Sequence, residues 1–362
     1  MLTIFDRYII KKYLTTFFFS AFLFTLLSVV IDFSEKVESF IESGASVSLI
    51  ITEYYINFIP WINGILWPLF ALLAVVFFTS RLAINSEIVA ALSAGMSYSR
   101  LLRPYMIAAC TLAAIHFAGS HYFIPEGNKA FINFDNTYLS PGNIKTKAQN
   151  VHIFLNPDSK IFIRNYRRSD TSMSGVFLEV FEDGELITLI KAERMKWLES
   201  PSRWTLYDYQ IRSFDGDKES LVIGKGLSFD TTLNLMPQDF VRYHNQREMM
   251  TSHELREFIA YENAKGLGKA RKMVTELHRR NADPFTIIVL TLIAVAIAGR
   301  KSRGGVGVHL AIGVSMGALY IILSRFSITF ANQLPLPIGI SVWLPNIVFS
   351  FIALILLFRA QK

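Results

Sequence analysis

The sequence has a single cysteine, Cys110, which lies inside an apolar run, so no disulfide framework is predicted. It also lacks the motifs of common active sites. There is no G-x-x-x-x-G-K-[ST] phosphate loop, no H-E-x-x-H, no Cys/His cluster and no G-x-S-x-G. We therefore expect neither an enzyme nor a chain that binds ATP, a metal or another cofactor by itself.

Apolar and aromatic residues are abundant instead. Of the 362 residues, 52% are hydrophobic and 14% are aromatic, which is typical of membrane proteins, while 18% charged residues indicate a sizeable part outside the membrane. Most of the apolar segments approach the ~20 residues that a helix needs to cross a bilayer. They predict six transmembrane helices, at about 13–32, 54–78, 101–124, 284–299, 306–330 and 338–358.

The charge of the connections predicts the orientation of these helices. The net charge is +7, and the basic excess lies beside the apolar segments, so it indicates membrane orientation rather than nucleic-acid binding. Every second connection is basic, whereas the loop after the first segment is acidic. The basic residues are Arg7, Lys11, Lys12, Arg81, Arg100, Arg103, Arg300, Lys301, Arg303, Arg359 and Lys362. Both termini and the loop Arg81–Pro104 are therefore expected in the cytoplasm.

The long segment between the third and fourth apolar segments is then expected on the opposite side of the membrane, as one domain outside it. Residues 151–233 alternate apolar stretches with turn formers, which predicts six or more antiparallel strands in a sandwich, jelly roll or small barrel. A helical period follows over 251–283. The predicted domains are a first membrane half (1–124), an all-β domain (125–250), a helical connector (251–283) and a second membrane half (284–362).

The loop between the second and third segments predicts a short helix at about 84–95. Asn85 or Ser86 can cap its start, and Glu87 in the first turn suits the positive end of the helix dipole. Its apolar residues fall on one face, and a glycine ends it; these are Ile84, Ile88, Leu92 and Gly95. This helix is either a coupling helix held by a partner or a polar hairpin between two membrane helices.

Polar and small residues near the membrane give further candidates. Arg325 lies in the outer part of the fifth segment, and Lys36 and Lys129 are expected at the same level. The three cations either bind the phosphate groups of a lipid or extend to water and headgroups. Gly313 and Gly317 form a small-x-x-x-small pair that permits close helix packing.

Several motifs carry a resemblance that covers nearly the whole chain. DRYIIKKY (Asp6–Tyr13), NSEIVAALSAGMS (Asn85–Ser97), ELHRRNADPF (Glu276–Phe285) and the run Gly307–Phe330 together resemble the LptF/LptG permeases of the lipopolysaccharide exporter. The first motif and the C-terminal half look closer to the LptG branch. The resemblance implies six helices with a periplasmic β-jelly roll. It also implies an LptB-type ATPase dimer that uses the ATP, a second permease of the LptF type, and LptC- and LptA-type periplasmic proteins as partners.

By the same resemblance, Glu87 falls at the coupling-helix glutamate of the family, and helices one and five would meet the partner permease. The sequence departs from the family where some relatives carry basic residues, because Asp32 and Asp135 stand there. The cations that could take the place of those basic residues are Lys36, Lys129 and Arg325, and only their positions in the sequence support this.

Two functional hypotheses follow. The first is a permease subunit that extracts lipopolysaccharide from the inner membrane of a Gram-negative bacterium. It would pass the lipid to a periplasmic β-jelly-roll bridge, with the energy supplied by a separate cytoplasmic ATPase. The alternative is a membrane-anchored periplasmic sensor or scaffold whose β domain binds a ligand or partner. In that case the loop Arg81–Pro104 should tolerate polar scrambling, and no ATPase should co-purify.

Overall fold

The structure, a computed structural model, describes residues 3–139, 145–146, 149–167, 169–199, 203–242, 246–264, 270–300 and 305–360. Lys301, Arg303 and Lys362, three of the basic residues used above, lie outside the described residues. The chain forms two compact units. The helical unit comprises Met1–Leu139, Arg247–Leu255 and Arg271–Lys362, and the sheet unit comprises Ser140–Gln246 and Arg256–Ala270.

The helices are labelled in chain order. They are α1 (Ile4–Glu42), α2 (Val47–Ile84), α3 (Glu87–Ser93), α4 (Tyr98–Leu139), α5 (Gln246–Met249), α6 (Ser252–Ala264), α7 (Arg271–Ala298), α8 (Gly305–Gln333) and α9 (Ile338–Ala360). Six of those described, namely α1, α2, α4, α7, α8 and α9, are long and apolar enough to cross a membrane. The predicted arrangement of three helices before and three after the inserted β region is confirmed.

The membrane helices extend beyond the apolar segments that predicted them. The third segment was expected to end at residue 124, but α4 continues to Leu139. The apolar segment marks only the part that crosses the hydrocarbon, whereas the helix continues beyond it because Phe131 and Phe134 pack against Tyr54. The predicted domain boundary at 124/125 therefore falls inside α4. The connector predicted over 251–283 comprises α6 and the start of α7.

The core of the helical unit is built around α7, which packs against α2, α4, α8 and α9. The α7 residues Ile287, Ile293 and Ala294 are completely buried. The first helix reaches the same core near its start, where the hydroxyl groups of Tyr13 and Thr291 are 2.6 Å apart and hydrogen-bonded.

The sheet unit contains a six-stranded antiparallel sheet whose strands follow one another in chain order. These strands are β2 (Gln149–Asn156), β3 (Ser159–Arg167), β4 (Ser172–Glu182), β5 (Glu185–Glu199), β6 (Arg203–Asp215) and β7 (Lys218–Thr232). A separate pair is formed by β1 (Lys145–Thr146) and β8 (Val241–Arg242). The predicted all-β region is confirmed as an up-and-down meander.

Tight turns set the register of this meander. Between β4 and β5, Glu182 pairs with Glu185 across Asp183 and Gly184, whose φ values are 49° and 87°. Positive φ at both central residues is the geometry of a type I′ hairpin, for which Asp-Gly is well suited. The turn formers DGDKES at 215–220 predict a longer turn than the one observed, because Asp215 already pairs with Lys218 and β7 begins there.

Candidate functional site

The short helix α3 is bounded by two residues in the left-handed region. Ser86 has φ 64° and Gly95 has φ 89°. Ser86 occupies the N-cap position, yet no side-chain capping bond forms there. A capping residue normally has extended backbone, which aims its side chain at the free amides, and a left-handed residue does not. Asn85 does not cap either, because its side-chain amide donates to Glu87 Oε1 at 3.3 Å.

The residues predicted to couple α3 to a partner lie on different sides of it. Ile88 is 2% exposed and belongs to the core of the helical unit, and Leu92 packs against that core. Ile84 is half-buried, whereas Glu87 and Gly95 are exposed. The apolar face thus holds the helix on the bundle, and Glu87 stands at the surface. Their role in coupling stays a prediction.

Glu87 also contacts the start of α1. The Tyr8 hydroxyl donates to Glu87 Oε2 at 3.3 Å. Beside this contact the completely buried Asp6 accepts two hydrogen bonds from the Arg100 guanidinium, at 2.6 and 2.8 Å. Thr3 and Asp6 complete a capping box on α1. Sequence reasoning singled out the DRY motif but missed this contact, because Asp6 and Arg100 are 94 residues apart.

The opposite end of the membrane helices carries the three predicted lipid-contacting cations. Lys36 forms an ion pair with Asp32 at 2.8 Å and donates to the Tyr54 hydroxyl. Lys129 forms ion pairs with Glu126 at 3.0 Å and Glu254 at 2.9 Å. Both lysines are therefore already neutralised by neighbouring carboxylates. Their contact with a lipid stays a prediction.

Glu254 illustrates this neutralisation. Its carboxylate accepts hydrogen bonds from the Thr251 amide at 2.6 Å and the Thr251 hydroxyl at 2.9 Å, besides the bond from Lys129. Burial alone would raise the pKa of Glu254. The hydrogen bonds from Lys129 and Thr251 and the positive charge of Lys129 outweigh burial, and they hold this pKa below its usual value.

Arg325 differs from the two lysines. It is exposed on α8, and no ion pair to it is found within the described part of the chain. Its side chain lines a cavity of about 350 Å³ between α2, α4, α7 and α8. The apolar residues that line this cavity include Trp61, Ile65, Leu69, Leu290, Ile321 and Ile328. The polar residues that line it, which we call the polar wall, include Asn128, Arg247, Glu248, Glu276, Arg279, Arg280, Asp283 and Arg325.

The polar wall is built on an ion network of α7. Glu276 accepts hydrogen bonds from Arg279 at 2.8 Å and from Arg280 at 3.1 Å, and Arg279 also pairs with Asp283 at 2.6 Å. Arg280 in addition donates to the Arg247 carbonyl at 3.0 Å, which ties that segment to α7. Buried charges need such pairing, because an unpaired charge is costly away from water.

Sequence reasoning missed this network as a site. The signal was present in ELHRRNADPF, where acids and arginines recur at helical spacing. Three of the four arginines of the polar wall have polar partners in the protein, whereas no polar partner of Arg325 is found among the described residues.

Gly313 and Gly317 lie where α8 packs on α2. A Cβ atom on Gly313 would stand 3.0 Å from Val76 Cγ2, and one on Gly317 would stand 2.7 Å from Leu69 Cδ1. The two helices therefore approach closely at these positions, and a larger side chain at Gly317 requires that Leu69 move.

Comparison with known proteins shows similarity along the whole chain. The family model described as "Lipopolysaccharide export system permease LptF/LptG" matches residues 7–359. The lipopolysaccharide export system permease protein LptG of Escherichia coli strain K12 is 22% identical over 357 residues, which is 98% of each chain. The LptG protein of Haemophilus influenzae is 23% identical over 334 residues, 90% of each chain.

Proposed function

The chain belongs to the LptF/LptG family of lipopolysaccharide export permeases, and we propose that it is the permease subunit of an ABC-type exporter. The exporter extracts lipopolysaccharide from the inner membrane. A separate LptB-type ATPase dimer in the cytoplasm uses the ATP, and this chain binds no cofactor. A second permease of the LptF type completes the membrane part, and LptC- and LptA-type proteins receive the lipid in the periplasm.

The orientation in this proposal rests on the charged connections. Arg7, Arg81 and Arg100 lie at the α3 end of the membrane helices, and basic residues are retained on the cytoplasmic side. Both termini and α3 are then cytoplasmic. The sheet unit is periplasmic and passes the lipid to a β-jelly-roll bridge.

The observation that carries the proposal is the geometry of α3. Its exposed Glu87 can form an ion pair with a cationic group of the ATPase, while Ile88, the next residue, is anchored in the core of the helical unit. A displacement imposed on α3 from outside therefore reaches the bundle directly, because a packed core transmits displacement rather than absorbing it.

The lipid contacts in this proposal centre on Arg325. A lipid with a phosphorylated headgroup and acyl chains needs cations beside apolar side chains, and the lining of the cavity contains both. Photo-crosslinkers placed at positions 36, 129 and 325 in membranes containing lipopolysaccharide test this. We expect the strongest lipid adduct from position 325, and no adduct from any position would assign all three cations to water or to intraprotein pairs.

The coupling role is tested with Glu87→Ala and Glu87→Arg in the complex with the ATPase and the second permease. We expect less ATPase to co-purify and ATP-driven lipopolysaccharide release to fall at least about tenfold, since a charge-assisted contact is lost or reversed. Glu35→Ala is the matched control, because Glu35 is an exposed glutamate on α1.

Unchanged assembly and transport in both Glu87 variants would exclude the coupling role. The sensor or scaffold hypothesis predicts a different outcome, in which no ATPase co-purifies even with the unmodified chain and scrambling of polar residues in the α3 loop has no effect.

A further inference from the structure

We propose that Asp6 and Tyr8 of α1, together with Arg100 of α4, form a positioning clamp for α3. In this clamp, Tyr8 orients Glu87 toward the ATPase. Asp6 fastens the start of α1 to Arg100 on α4, so that displacement of α3 is passed to α1. This inference rests on the proposed coupling role of Glu87.

The first part of the clamp orients Glu87. Tyr8 donates to one carboxylate oxygen and Asn85 to the other, each at 3.3 Å. An exposed glutamate without such donors samples many rotamers, and a partner must restrict them on binding. Both donors are neutral, so neither takes the place of a cationic group of the partner. Tyr8 and Asn85 are therefore positioning residues for Glu87.

The second part fastens α1 to the chain that follows α3. Arg100 lies in the first turn of α4, five residues after Gly95, and its guanidinium donates to both carboxylate oxygens of Asp6. Two parallel bonds fix the orientation of the guanidinium as well as its distance. Ile9 of α1 and Ile88 of α3 belong to the same buried cluster. The starts of α1 and α4 are therefore joined to each other, and the start of α1 is packed in the same core as α3.

The remainder of α1 offers little resistance to such movement. Only 11% of the residues in an apolar 18-residue stretch of α1 are buried inside the chain, against 67% for the corresponding stretch of α7. A displacement at the start of α1 can therefore be passed along the helix, because few of its side chains are locked by neighbours of the same chain. The clamp makes α1 the helix that responds to α3.

Tyr8→Phe tests the first part, because it removes only the hydroxyl. The variant is studied in the full complex with the ATPase and the second permease, in vesicles containing lipopolysaccharide. We expect about threefold weaker ATPase binding and at least about a twofold loss of lipopolysaccharide released per ATP hydrolysed, with an unchanged Tm. Tyr98→Phe is the matched control, since no partner of the Tyr98 hydroxyl is found in the described part of the chain.

Arg100→Lys tests the second part. Lysine keeps the charge beside Asp6 but loses the planar fork that binds both oxygens. We expect ATP hydrolysis to persist while release per ATP falls at least about twofold. If this variant folds poorly, the pair Asp6→Asn with Arg100→Gln replaces the ion pair with neutral groups that can still hydrogen-bond, and the same loss of release per ATP is expected.

The outcomes separate this inference from the proposed function. If Glu87→Ala abolishes coupling while Tyr8→Phe and the Arg100 variants match the unmodified chain, the clamp is excluded and the coupling role stands. If Glu87→Ala also has no effect, both fail. If Tyr8→Phe lowers Tm in proportion to export, the hydroxyl acts on stability alone and the positioning role is overturned.

Discussion

The first and fourth membrane helices, α1 and α7, are both strongly apolar but differ in burial. Within an apolar stretch of 18 residues in each helix, 11% of the residues are buried inside the chain in α1 and 67% in α7. Apolar character therefore indicates that a helix lies in the membrane, but not whether its side chains meet protein or lipid.

The side chains of the two helices explain the difference. The membrane part of α7 reads LTLIAVAIA, with small residues that let neighbours approach on several sides. In contrast, α1 presents large exposed side chains such as Phe19 and Phe22. Large apolar side chains on an uncovered face suit lipid or a second subunit, and α1 is accordingly the face that we propose for the partner permease.

The largest effect on stability is expected when a buried charge is removed from α7, and it tests the comparison between α1 and α7. Glu276→Gln leaves Arg279 and Arg280 with less counter-charge at a buried position. We expect a loss of about 3–5 kcal/mol in the free energy of unfolding, because a buried ion pair is broken on one side only. The measurement is thermal unfolding of the isolated chain in detergent.

Glu35→Gln on α1 is the control for this prediction, and its effect should stay within about 0.5 kcal/mol because the residue is exposed. Equal effects of the two substitutions would mean that the burial difference between α1 and α7 does not govern stability.

A smaller effect is expected from apolar truncations. Ile293→Ala in α7 should cost about 2 kcal/mol, near the low end for a buried isoleucine, because the unfolded chain in a membrane is not exposed to water. Phe22→Ala in α1 should leave the unfolding free energy unchanged but reduce the amount of second permease that co-purifies. Unfolding in detergent measures the stability of the chain, and co-purification measures binding of the second permease. If Phe22→Ala lowered stability while Ile293→Ala did not, the comparison between α1 and α7 would be contradicted.

The smallest effect concerns Glu254, a half-buried ion-pair partner in contrast to the buried network of α7. Its pKa is held below the unfolded value of about 4.3, so its contribution to stability is present above that pH and is lost as pH falls through the folded pKa. We expect a slight fall in Tm as the pH falls from about 5 to about 3, and this fall should be weaker in Glu254→Gln. The change is small because solvent screens this pair. An identical pH dependence in both proteins would show that Glu254 does not contribute.

Features with a local periodic cause could be predicted from the sequence. The six membrane helices follow from apolar length, and strands such as β2 follow from alternation, with Val151, Ile153 and Leu155 buried and their neighbours exposed. The end of α4 and the start of β7 were misplaced, because polar residues continue a helix or strand when a neighbouring element supports them.

Features that depend on distant parts of the chain could not be predicted in this way. The periodicity of α3 groups Ile84, Ile88 and Leu92, but only the packed bundle shows that this face points inward. Likewise, Lys36 and Lys129 are recognisable as cations near the membrane, whereas the pairing of Lys129 with Glu254 joins residues 125 positions apart. Propensities over a short window carry no information about such contacts.

The central position of α7 also has a consequence for synthesis of the chain. A ribosome makes α1, α2 and α4 first, and the helix that fills the space between them emerges only after the entire sheet unit has been translated. Thr291, the hydrogen-bond partner of Tyr13, is translated 278 residues after it. Until then the newly inserted N-terminal half has an incomplete interior, which makes this stage of biogenesis the one at which the nascent permease most needs lipid or an insertion factor to cover it.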